Sequence, residues 1–280
     1  MPKTWLITGA SRGLGAEIAK AALSAGDRVI AAGRRREAVA KALGPDRDQL
    51  LSVVLDVTLP AQSGSAVDAG LSRFGSIDVL VNNAGYGHLG FFEETSSEDV
   101  QAQFATNLFG AFSVTRAVLP VMRRARKGHI FNISSIAGIR GVEFGSLYCA
   151  SKFALEGFSE ALSSEVAPFG IAVTIVEPGP FRTDFLAPES LRVAAHPVAD
   201  YGERRARLQS TFEERNGRQA GDPAKLASAL VKLAGEAKPP LRFAAGAFAV
   251  DTADTKLAGM RAEIGRWRQL SIDTDYHAPT

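Results

Sequence analysis

Near its amino terminus the chain reads Thr8-Gly9-Ala10-Ser11-Arg12-Gly13-Leu14-Gly15. A short run of apolar and β-branched residues at 3–8 leads into this stretch, and apolar residues at helical spacing follow it up to Gly26. A strand, a glycine-rich turn and a helix in this order are the context that a dinucleotide-binding fingerprint requires. Glycines let the backbone approach a pyrophosphate, and a helix N-terminus offers it N–H groups and a positive dipole end. The stretch therefore predicts a nucleotide site at the start of an α/β domain.

The rest of the chain alternates between strand-like and helix-like segments. Strands are predicted near 3–8, 28–33, 51–55, 77–82, 129–134, 171–177 and 241–245, and helices near 13–25, 35–43, 61–74, 97–125, 147–167, 222–235 and 252–270. Such alternation indicates a parallel sheet with helices on both faces. The run Val79-Leu80-Val81 is apolar without alternation, as expected when both faces of the sheet are covered. We expect a single Rossmann-like, doubly wound α/β domain over residues 1–280, with a seven-stranded parallel sheet.

A second pattern lies in the middle of the chain, where Tyr148 and Lys152 stand four residues apart and Ser135 lies thirteen positions upstream. A helix carries residues i and i+4 on one face. A nearby ammonium favours the phenolate and so lowers a tyrosine pKa from its usual value of about 10. A phenol tuned in this way can give or take a proton near neutral pH. The pair alone is weak evidence, because many surface helices carry one by chance.

Together these stretches resemble the short-chain dehydrogenase/reductase family, in its compact branch with the motifs TGxxxGxG and YxxxK. The resemblance covers residues 3–185 closely, and further family features occur in the expected order. They are Asp56-Val57 after a strand, Asn82-Asn83-Ala84-Gly85 after the next, Asn107 in the middle of a helix, Ser134-Ser135 at a strand end, and Pro178-Gly179 with Thr183 beyond.

The resemblance implies the interconversion of a ketone or aldehyde and an alcohol by hydride transfer. Tyr148 would be the general acid or base, and Lys152 would bind the nicotinamide ribose and lower the Tyr148 pKa. Ser135 would polarise the substrate oxygen, and Asn107 would hold a water that links Lys152 to solvent. Ser135 is preferred to Ser134 because the family places its serine thirteen residues before the tyrosine, and adjacent strand residues point to opposite sides.

The resemblance also implies which residues contact the cofactor. Asp56 would lie on the adenine side, Asn83-Ala84-Gly85 beside the adenosine ribose, and Pro178-Gly179 against the nicotinamide, with Thr183 on its carboxamide. The full expected set is Gly9, Ser11, Arg12, Gly13, Leu14, Gly15, Arg34, Asp56, Val57, Asn83, Ala84, Gly85, Asn107, Tyr148, Lys152, Pro178, Gly179 and Thr183.

The end of the second strand bears on the choice between NAD and NADP. In dinucleotide folds an acid after this strand binds the ribose 2′-hydroxyl of NAD, whereas an arginine accommodates the 2′-phosphate of NADP. Here Gly33 is followed by three arginines, and no acid occurs before Glu37. Arg34 and Arg12 are the candidates, since one charge-assisted hydrogen bond would give a roughly ten- to hundredfold preference. We predict NADP(H) rather than NAD; the alternative is that the arginines form an exposed helix start.

Composition excludes several classes of protein. The chain has 280 residues with 46% hydrophobic and 22% charged content, as in ordinary globular proteins. Its net charge of +2 gives no basic field for nucleic acid or a membrane surface, and no apolar run approaches the ~18 residues of a membrane helix. The first predicted strand leaves no room for a signal peptide, so a cytoplasmic protein is expected.

Cysteine and histidine usage gives no sign of a disulfide or a metal site. The one cysteine, Cys149, cannot form an internal disulfide, and next to the predicted tyrosine it is interpreted as a packing residue. The histidines show no metal-ligand spacing; they are His88, His129, His196 and His277. No metal is therefore expected.

Two segments leave alternatives open. The stretch 184–216 mixes apolar residues with many charges and is either a lid over a hydrophobic carbonyl substrate or an amphipathic surface helix. The tail at 251–271 has apolar residues at helical spacing and is expected to cover the sheet edge in place of a subunit contact. A homodimer through the helices around Asn107 and Tyr148, or a monomer, is therefore expected rather than the tetramer common in the family.

Two other functions compete with the oxidoreductase. One is an NADP-binding sensor that keeps the fold without turnover, and the presence of Ser135, Tyr148 and Lys152 argues against it. The other is a sugar-nucleotide epimerase or dehydratase of the family's longer branch. That branch predicts a different glycine spacing and a larger carboxyl-terminal domain, and the sequence supports neither.

Overall fold

A computed structural model describes residues 2–187 and 190–276, and within them seven parallel strands form one sheet in the order β3-β2-β1-β4-β6-β7-β9. Its strands are β1 (Thr4–Thr8), β2 (Arg28–Gly33), β3 (Leu50–Val54), β4 (Val79–Asn82), β6 (Gly128–Ile133), β7 (Ile171–Pro178) and β9 (Arg242–Ala245). Every predicted strand is present within two residues of its expected ends. The predicted seven-stranded parallel α/β fold is confirmed.

Helices cover both faces of this sheet. They are α1 (Gly13–Ser24), α2 (Arg36–Leu43), α3 (Pro60–Phe74), α4 (Ser97–Phe104), α5 (Gly110–Ala125), α6 (Ser146–Val166), α7 (Gly202–Arg215), α8 (Pro223–Leu233) and α9 (Ala247–Ile272). The helix predicted over 97–125 contains a π-helical segment, Ala105–Phe109, between α4 and α5. Such π segments are frequent at functional sites, and this one carries Asn107.

Successive side chains of β1 point to opposite faces of the sheet, as strand geometry requires. Trp5 and Ile7 pack with residues of α1 and α8 in one buried cluster. Leu6 packs with residues of α3, α5 and α6 in the other. All three side chains are fully buried. This double coverage explains why the central strands are apolar without alternation.

The order of the strands reverses between β1 and β4, because β2 and β3 lie on one side of β1 whereas β6 and β7 lie beyond β4. In open α/β sheets ligands bind outside the carboxyl ends of the strands at such a switch point. Thr8 and Asn82 end these two strands. The glycine-rich stretch and the Asn83-Ala84-Gly85 turn therefore meet at the mouth of the expected crevice.

A second, two-stranded parallel sheet was not predicted. It pairs β5 (Gly87–Leu89) with β8 (Leu191–Val193). This pairing places the stretch 184–216 directly beside the chain that leaves β4. Within this stretch β8 lies beside β5, and the surface helix α7 follows.

The carboxyl-terminal helix differs from the expectation. Its residues Ala249 and Thr252 are buried near β9, but every residue from Leu257 to Tyr276 is exposed. The prediction that its apolar side covers the sheet edge is therefore wrong. The helix uses its first turns to contact the sheet, and its amphipathic part extends past the region where the sheet could bury it.

Among the described residues, the helical run Ser97–Ala125 has a length and a mean hydropathy of 1.2 that a membrane-spanning helix can also have. In this fold the run lies against the sheet, and Val114, Val118 and Met122 of α5 are fully buried in the core. Length and composition are weak evidence for a span, because core helices of α/β proteins share both properties.

Candidate active site

Three of the four side chains predicted to be catalytic meet at the carboxyl end of the sheet. Ser135 follows β6, while Tyr148 and Lys152 lie on the first turns of α6. The Ser135 hydroxyl lies close enough to the Tyr148 phenol to lower its pKa, and Ser135 Oγ accepts the Ala137 N–H at 3.1 Å. Lys152 Nζ lies 5.8 Å from the centre of the Tyr148 ring. A phenol, a hydroxyl and an amine thus surround one point at the mouth of the crevice.

Lys152 is held in place by the strand that precedes Ser135. Its Nζ donates a hydrogen bond to the Ile133 carbonyl oxygen at 2.7 Å, and the residue is 5% exposed. Burial lowers the pKa of Lys152 to about 8, and the negative charge of Glu156, one turn further along α6, opposes this effect. At neutral pH the amine remains largely protonated, so the site contains a cation.

The pKa of Tyr148 moves opposite to the expectation. Burial raises the pKa of Tyr148 above its ordinary value, and the hydrogen bond with Ser135 partly offsets the rise. The prediction that Lys152 gives Tyr148 a lowered pKa is wrong for the polypeptide by itself, because loss of hydration penalises the phenolate more strongly. The neutral phenol is therefore the resting form, which suits a proton donor.

Asn107 is held by the backbone of Tyr86 and by the side chain of Ser151. Its Nδ2 donates to the Tyr86 carbonyl oxygen at 3.1 Å and to Ser151 Oγ at 3.2 Å, and its Oδ1 accepts the Tyr86 N–H at 3.1 Å. A Cβ on Gly85 would lie 3.2 Å from Asn107 Oδ1 and 3.8 Å from Lys152 Nζ. The π segment thus brings Asn107 beside Lys152 and fixes the turn after β4.

The glycine stretch has the geometry that a pyrophosphate site requires. Gly9 and Gly13 have φ values of 66° and 54°, which disfavour other residues. A Cβ on Gly15 would lie 2.5 Å from Asn83 Nδ2, so a side chain there has no room. Arg12 is the residue immediately before α1. Its guanidinium carries only hydrogen-bond donors, so it cannot accept the N–H groups at the start of the helix. The N–H groups of the first turn therefore suit a phosphate.

Asn83 holds this stretch in position. Its Nδ2 donates to the Thr8 carbonyl oxygen at 2.9 Å and to the Gly9 carbonyl oxygen at 3.3 Å. Thr8 Oγ1 in turn accepts the N–H groups of Asn83 at 2.9 Å and Ala84 at 3.0 Å. The Asn83 side chain is therefore used to join the two loops, which leaves the backbone of Ala84 and Gly85 to line the crevice.

Three of the residues expected to contact the cofactor differ in what their side chains do. Asp56 lies beyond the end of β3, where its Oδ1 accepts hydrogen bonds from Thr58. Val57 and Leu14 direct their side chains into the hydrophobic core. The side chains of these two residues are therefore committed to packing, and the backbone is the part that can approach a cofactor.

The end of β2 adjoins the glycine stretch. A Cβ on Gly33 would lie 3.7 Å from the Cβ of Ser11. Of the three arginines that follow, Arg36 is paired with Asp46, whereas Arg34 and Arg35 are exposed. Arg34 is thus an exposed cation close in sequence to the strand end that adjoins the nucleotide loop.

Pro178, Gly179 and Thr183 form the opposite wall of the crevice. The Gly179 N–H donates to the Ala245 carbonyl oxygen at 3.0 Å, which joins this turn to β9. Thr183 Cβ lies 3.8 Å from the position of a Cβ on Gly13. Thr183 therefore faces the nucleotide loop from across the crevice.

An apolar surface lies next to the Tyr148 ring. The Phe185 ring is 5.6 Å from it, centre to centre. A Cβ on Gly87 would lie 2.9 Å from Leu191 and 3.1 Å from Phe185, so β5 packs closely under both side chains. The stretch that follows Thr183 thus contributes hydrophobic groups beside the phenol.

Sequence reasoning missed a buried acid beneath the site. Glu156 is almost fully buried on α6, and Arg242 of β9 pairs with both Glu156 and Glu177. Burial raises the pKa of Glu156 to about 7. Ser134, the residue that follows β6, lies beside Glu156. The sequence signal that could have identified Glu156 is its spacing of four residues from Lys152, which places both side chains on one face of α6.

The remaining titratable candidates are structural. Cys149 is buried, its Sγ accepts the Val142 N–H, and burial raises the pKa of its thiol. His88 is buried on β5 at 3.7 Å from Asp99. Within residues 2–187 and 190–276, no group of three or more His, Cys, Asp or Glu side chains is placed to hold a metal ion. His277 lies outside the described residues.

Comparison with known proteins shows the family of this chain. Residues 3–193 match the short chain dehydrogenase family model. The oxidoreductase BOA17 of Botryotinia fuckeliana is 40% identical over 274 residues, which cover 97% of this chain and 99% of that protein. The 3-ketodihydrosphingosine reductase of Bacteroides thetaiotaomicron is 40% identical over 247 residues, 88% of each chain. The retinol dehydrogenase 8 of Bos taurus is 38% identical over 253 residues, 86% of this chain and 80% of that protein.

Two solved structures extend the comparison. A short-chain dehydrogenase from Streptomyces avermitilis has a TM-score of 0.90 and 40% identity, and the alignment covers 99% of this chain and 100% of that chain. The 3-ketoacyl-(acyl-carrier-protein) reductase from Brucella melitensis, complexed with NADH, has a TM-score of 0.70 and 28% identity over 83% of this chain and 90% of that chain. The chain therefore belongs to the short-chain dehydrogenase/reductase family and is an oxidoreductase with a nicotinamide-nucleotide-binding fold.

Proposed function

We propose that the protein is an NADP(H)-dependent oxidoreductase that interconverts a carbonyl group and an alcohol, and that it acts as a reductase of a hydrophobic ketone or aldehyde. The observation that carries this proposal is the meeting of Tyr148, Ser135 and Lys152 at the mouth of the nucleotide crevice. An acid, a hydrogen-bond donor and a fixed cation around one point can serve a reacting carbonyl oxygen.

The protein's own residues supply binding and proton transfer. When bound, the cofactor donates or accepts a hydride at its nicotinamide ring. The glycine stretch and the N-terminus of α1 hold the pyrophosphate, and Lys152 binds the nicotinamide ribose. Tyr148 keeps a proton on its hydroxyl and delivers it to the carbonyl oxygen of the substrate, to which Ser135 donates a hydrogen bond.

The charge of Lys152 supports the proton transfer in this proposal. After Tyr148 gives up its proton, a phenolate remains in a buried place where its pKa is already raised. The protonated Lys152, held by the Ile133 carbonyl oxygen, stabilises that phenolate by direct attraction. Asn107 keeps the neighbouring turn in place, and a water bound there would return a proton to Lys152 from solvent.

The preference for NADP(H) rests on the end of β2. Gly33 is followed by the exposed Arg34 rather than by an acid, and the strand end adjoins Ser11. A 2′-phosphate at this place would meet a cation instead of a carboxylate. Arg36 is engaged by Asp46, so Arg34 is the better candidate of these two.

A hydrophobic substrate is favoured by the wall beside Tyr148. Phe185 lies next to the Tyr148 ring, and both Phe185 and Leu191 pack against β5. The segment that carries them is held in place by contacts later in the stretch. Glu94 is paired with Arg205 of α7 and accepts the Val198 N–H at 3.0 Å. Relatives named for retinol and for 3-ketodihydrosphingosine act on long apolar molecules, which agrees with this wall. We infer that 184–216 is a substrate lid.

Replacing Tyr148 with phenylalanine should remove the proton donor and retain the ring. We expect kcat to fall by about 100- to 10,000-fold, the usual contribution of a general acid. Because the fold and the glycine stretch are unchanged, the Kd for NADPH should stay within about threefold. Tyr86→Phe is the matched control and should keep its turnover. Wild-type kcat in Tyr148→Phe would exclude Tyr148 as the acid.

Replacing Arg34 with alanine should weaken binding of NADPH and leave that of NADH almost unchanged. The loss of one charge-assisted contact with the 2′-phosphate should raise the NADPH Kd about ten- to hundredfold. Fluorescence titration with both cofactors measures the ratio, with Arg35→Ala as the control. Equal losses for NADPH and NADH would place Arg34 away from the 2′-phosphate.

Replacing Arg205 with methionine should loosen the lid, because it leaves Glu94 without its cation. For a long-chain apolar ketone we expect KM to rise about tenfold, with little change in NADPH affinity. Trypsin should also cleave faster within 190–216. Arg207→Met, an exposed position on the same helix, should do neither. If Arg205→Met behaves like this control, the lid assignment is refuted.

A further inference from the structure

The carboxyl-terminal helix α9 presents an apolar stripe that nothing in the described chain covers beyond its first turns. The α9 stripe consists of Val250, Ala253, Leu257, Met260, Ile264 and Trp267. These positions alternate in steps of three and four residues, which is the heptad spacing of a two-stranded coiled coil. Leu257, Ile264 and Trp267 are 63%, 62% and 54% exposed.

The helix needs a partner for physical reasons. All residues from Leu257 to Tyr276 are exposed, so this part of α9 is supported by no packing within the described residues. Most helical stability in proteins comes from packing an apolar face rather than from intrinsic helix propensity. Gly259 and Gly265 lower the helix propensity further.

Charged residues border the α9 stripe on both sides. The first flank carries Asp254 and Arg261, and the second flank carries Lys256 and Glu263. None of these four forms an ion pair with any residue in 2–187 or 190–276. In coiled coils the residues at such positions determine the partner and the orientation of the helices.

We propose that α9 binds α9 of a second copy of this chain as an antiparallel two-helix coiled coil in which Leu257 lies opposite Met260 of the second copy. In an antiparallel pair each flank meets the same flank of the other helix. This register places Asp254 beside Arg261 of the second copy. By the two-fold symmetry, each such pair occurs twice.

The second flank agrees with the same register, which places Lys256 beside Glu263 of the second copy. All four flanking contacts are then attractive. The sizes of the stripe residues also match, since Ala253 lies opposite Ile264 and Val250 lies opposite Trp267. Alternation of small and large residues across facing positions is what lets such layers interdigitate.

Other arrangements of the two helices bring like charges together. In a parallel pair opposite flanks meet, which places Lys256 beside Arg261. An antiparallel pair shifted by one heptad toward the carboxyl terminus places Arg261 beside Arg261 and Glu263 beside Glu263. A shift the other way places Asp254 beside Asp254. Charge complementarity therefore selects the proposed register.

The same charges distinguish a second copy from a lipid surface. Helices that lie on membranes concentrate lysine and arginine on their polar face. Here the part of α9 between Asp254 and Glu263 carries one acid and one base on each flank, in an order that complements itself. A second copy of the chain is the partner that this order fits.

The test is sedimentation velocity of the full-length protein over a range of concentrations, with NADPH binding as the check on folding. Ile264→Asp buries a charge twice in the proposed interface, so we expect the association constant to fall about hundredfold or more and the assembly to halve in mass. An unchanged mass for this variant, or a wild type that binds neutral phosphatidylcholine vesicles without associating with itself, would overturn the proposal.

Charge exchange tests the orientation. Arg261→Asp places Asp254 beside an aspartate twice, so the dimer Kd should rise about tenfold at low salt. Adding Asp254→Arg to the same chain should restore the wild-type Kd, because the pairs are then attractive again. A tighter dimer in Arg261→Asp would indicate parallel helices, and no rescue in the double variant would exclude the register; either result overturns the proposal.

Discussion

The site depends on the close approach of two backbone turns at the carboxyl ends of β1 and β4. Thr8 Oγ1 accepts the N–H groups of Asn83 and Ala84, and Asn83 Nδ2 returns a hydrogen bond to the Thr8 carbonyl oxygen. This reciprocal contact leaves no room for a side chain at Gly15. Glycine is required there, and the same contact sets the position of the helix N-terminus that can receive a pyrophosphate.

Helix α6 brings predicted catalytic side chains to the edge of this nucleotide loop. On α6, Tyr148, Lys152 and Glu156 succeed one another at intervals of four residues and so share a face. Burial favours the neutral form of each group. It raises the pKa of the Tyr148 phenol and of the Glu156 carboxyl, and it lowers the pKa of the Lys152 amine. The Ile133 carbonyl oxygen accepts a hydrogen bond from Lys152, and the Ser135 hydroxyl lies beside Tyr148. A few short contacts thus fix Tyr148 and Lys152 relative to the expected cofactor crevice.

The sequence predicted what periodicity and short motifs encode. The apolar runs of the seven sheet strands have a clear pattern, and the motif residues around Gly9 and Tyr148 converge as expected. The three-residue strands β5 and β8 carry no such pattern, because their pairing depends on the fold around them. The rise in the Tyr148 pKa depends on burial, which a sequence does not give. The spacing in α9 identified an apolar face but not whether the protein covers it, so the expected packing on the sheet edge was wrong.

Reduction of a carbonyl panel with NADPH and with NADH tests the central claim most directly. The panel should contain long-chain apolar ketones, retinoid and aromatic aldehydes, and short polar ketones as the matched contrast. The account predicts turnover that is faster with NADPH and faster on the long apolar members. Absence of turnover across the panel, in protein that demonstrably binds NADPH, would contradict it and would favour a binding protein that uses the same fold without catalysis.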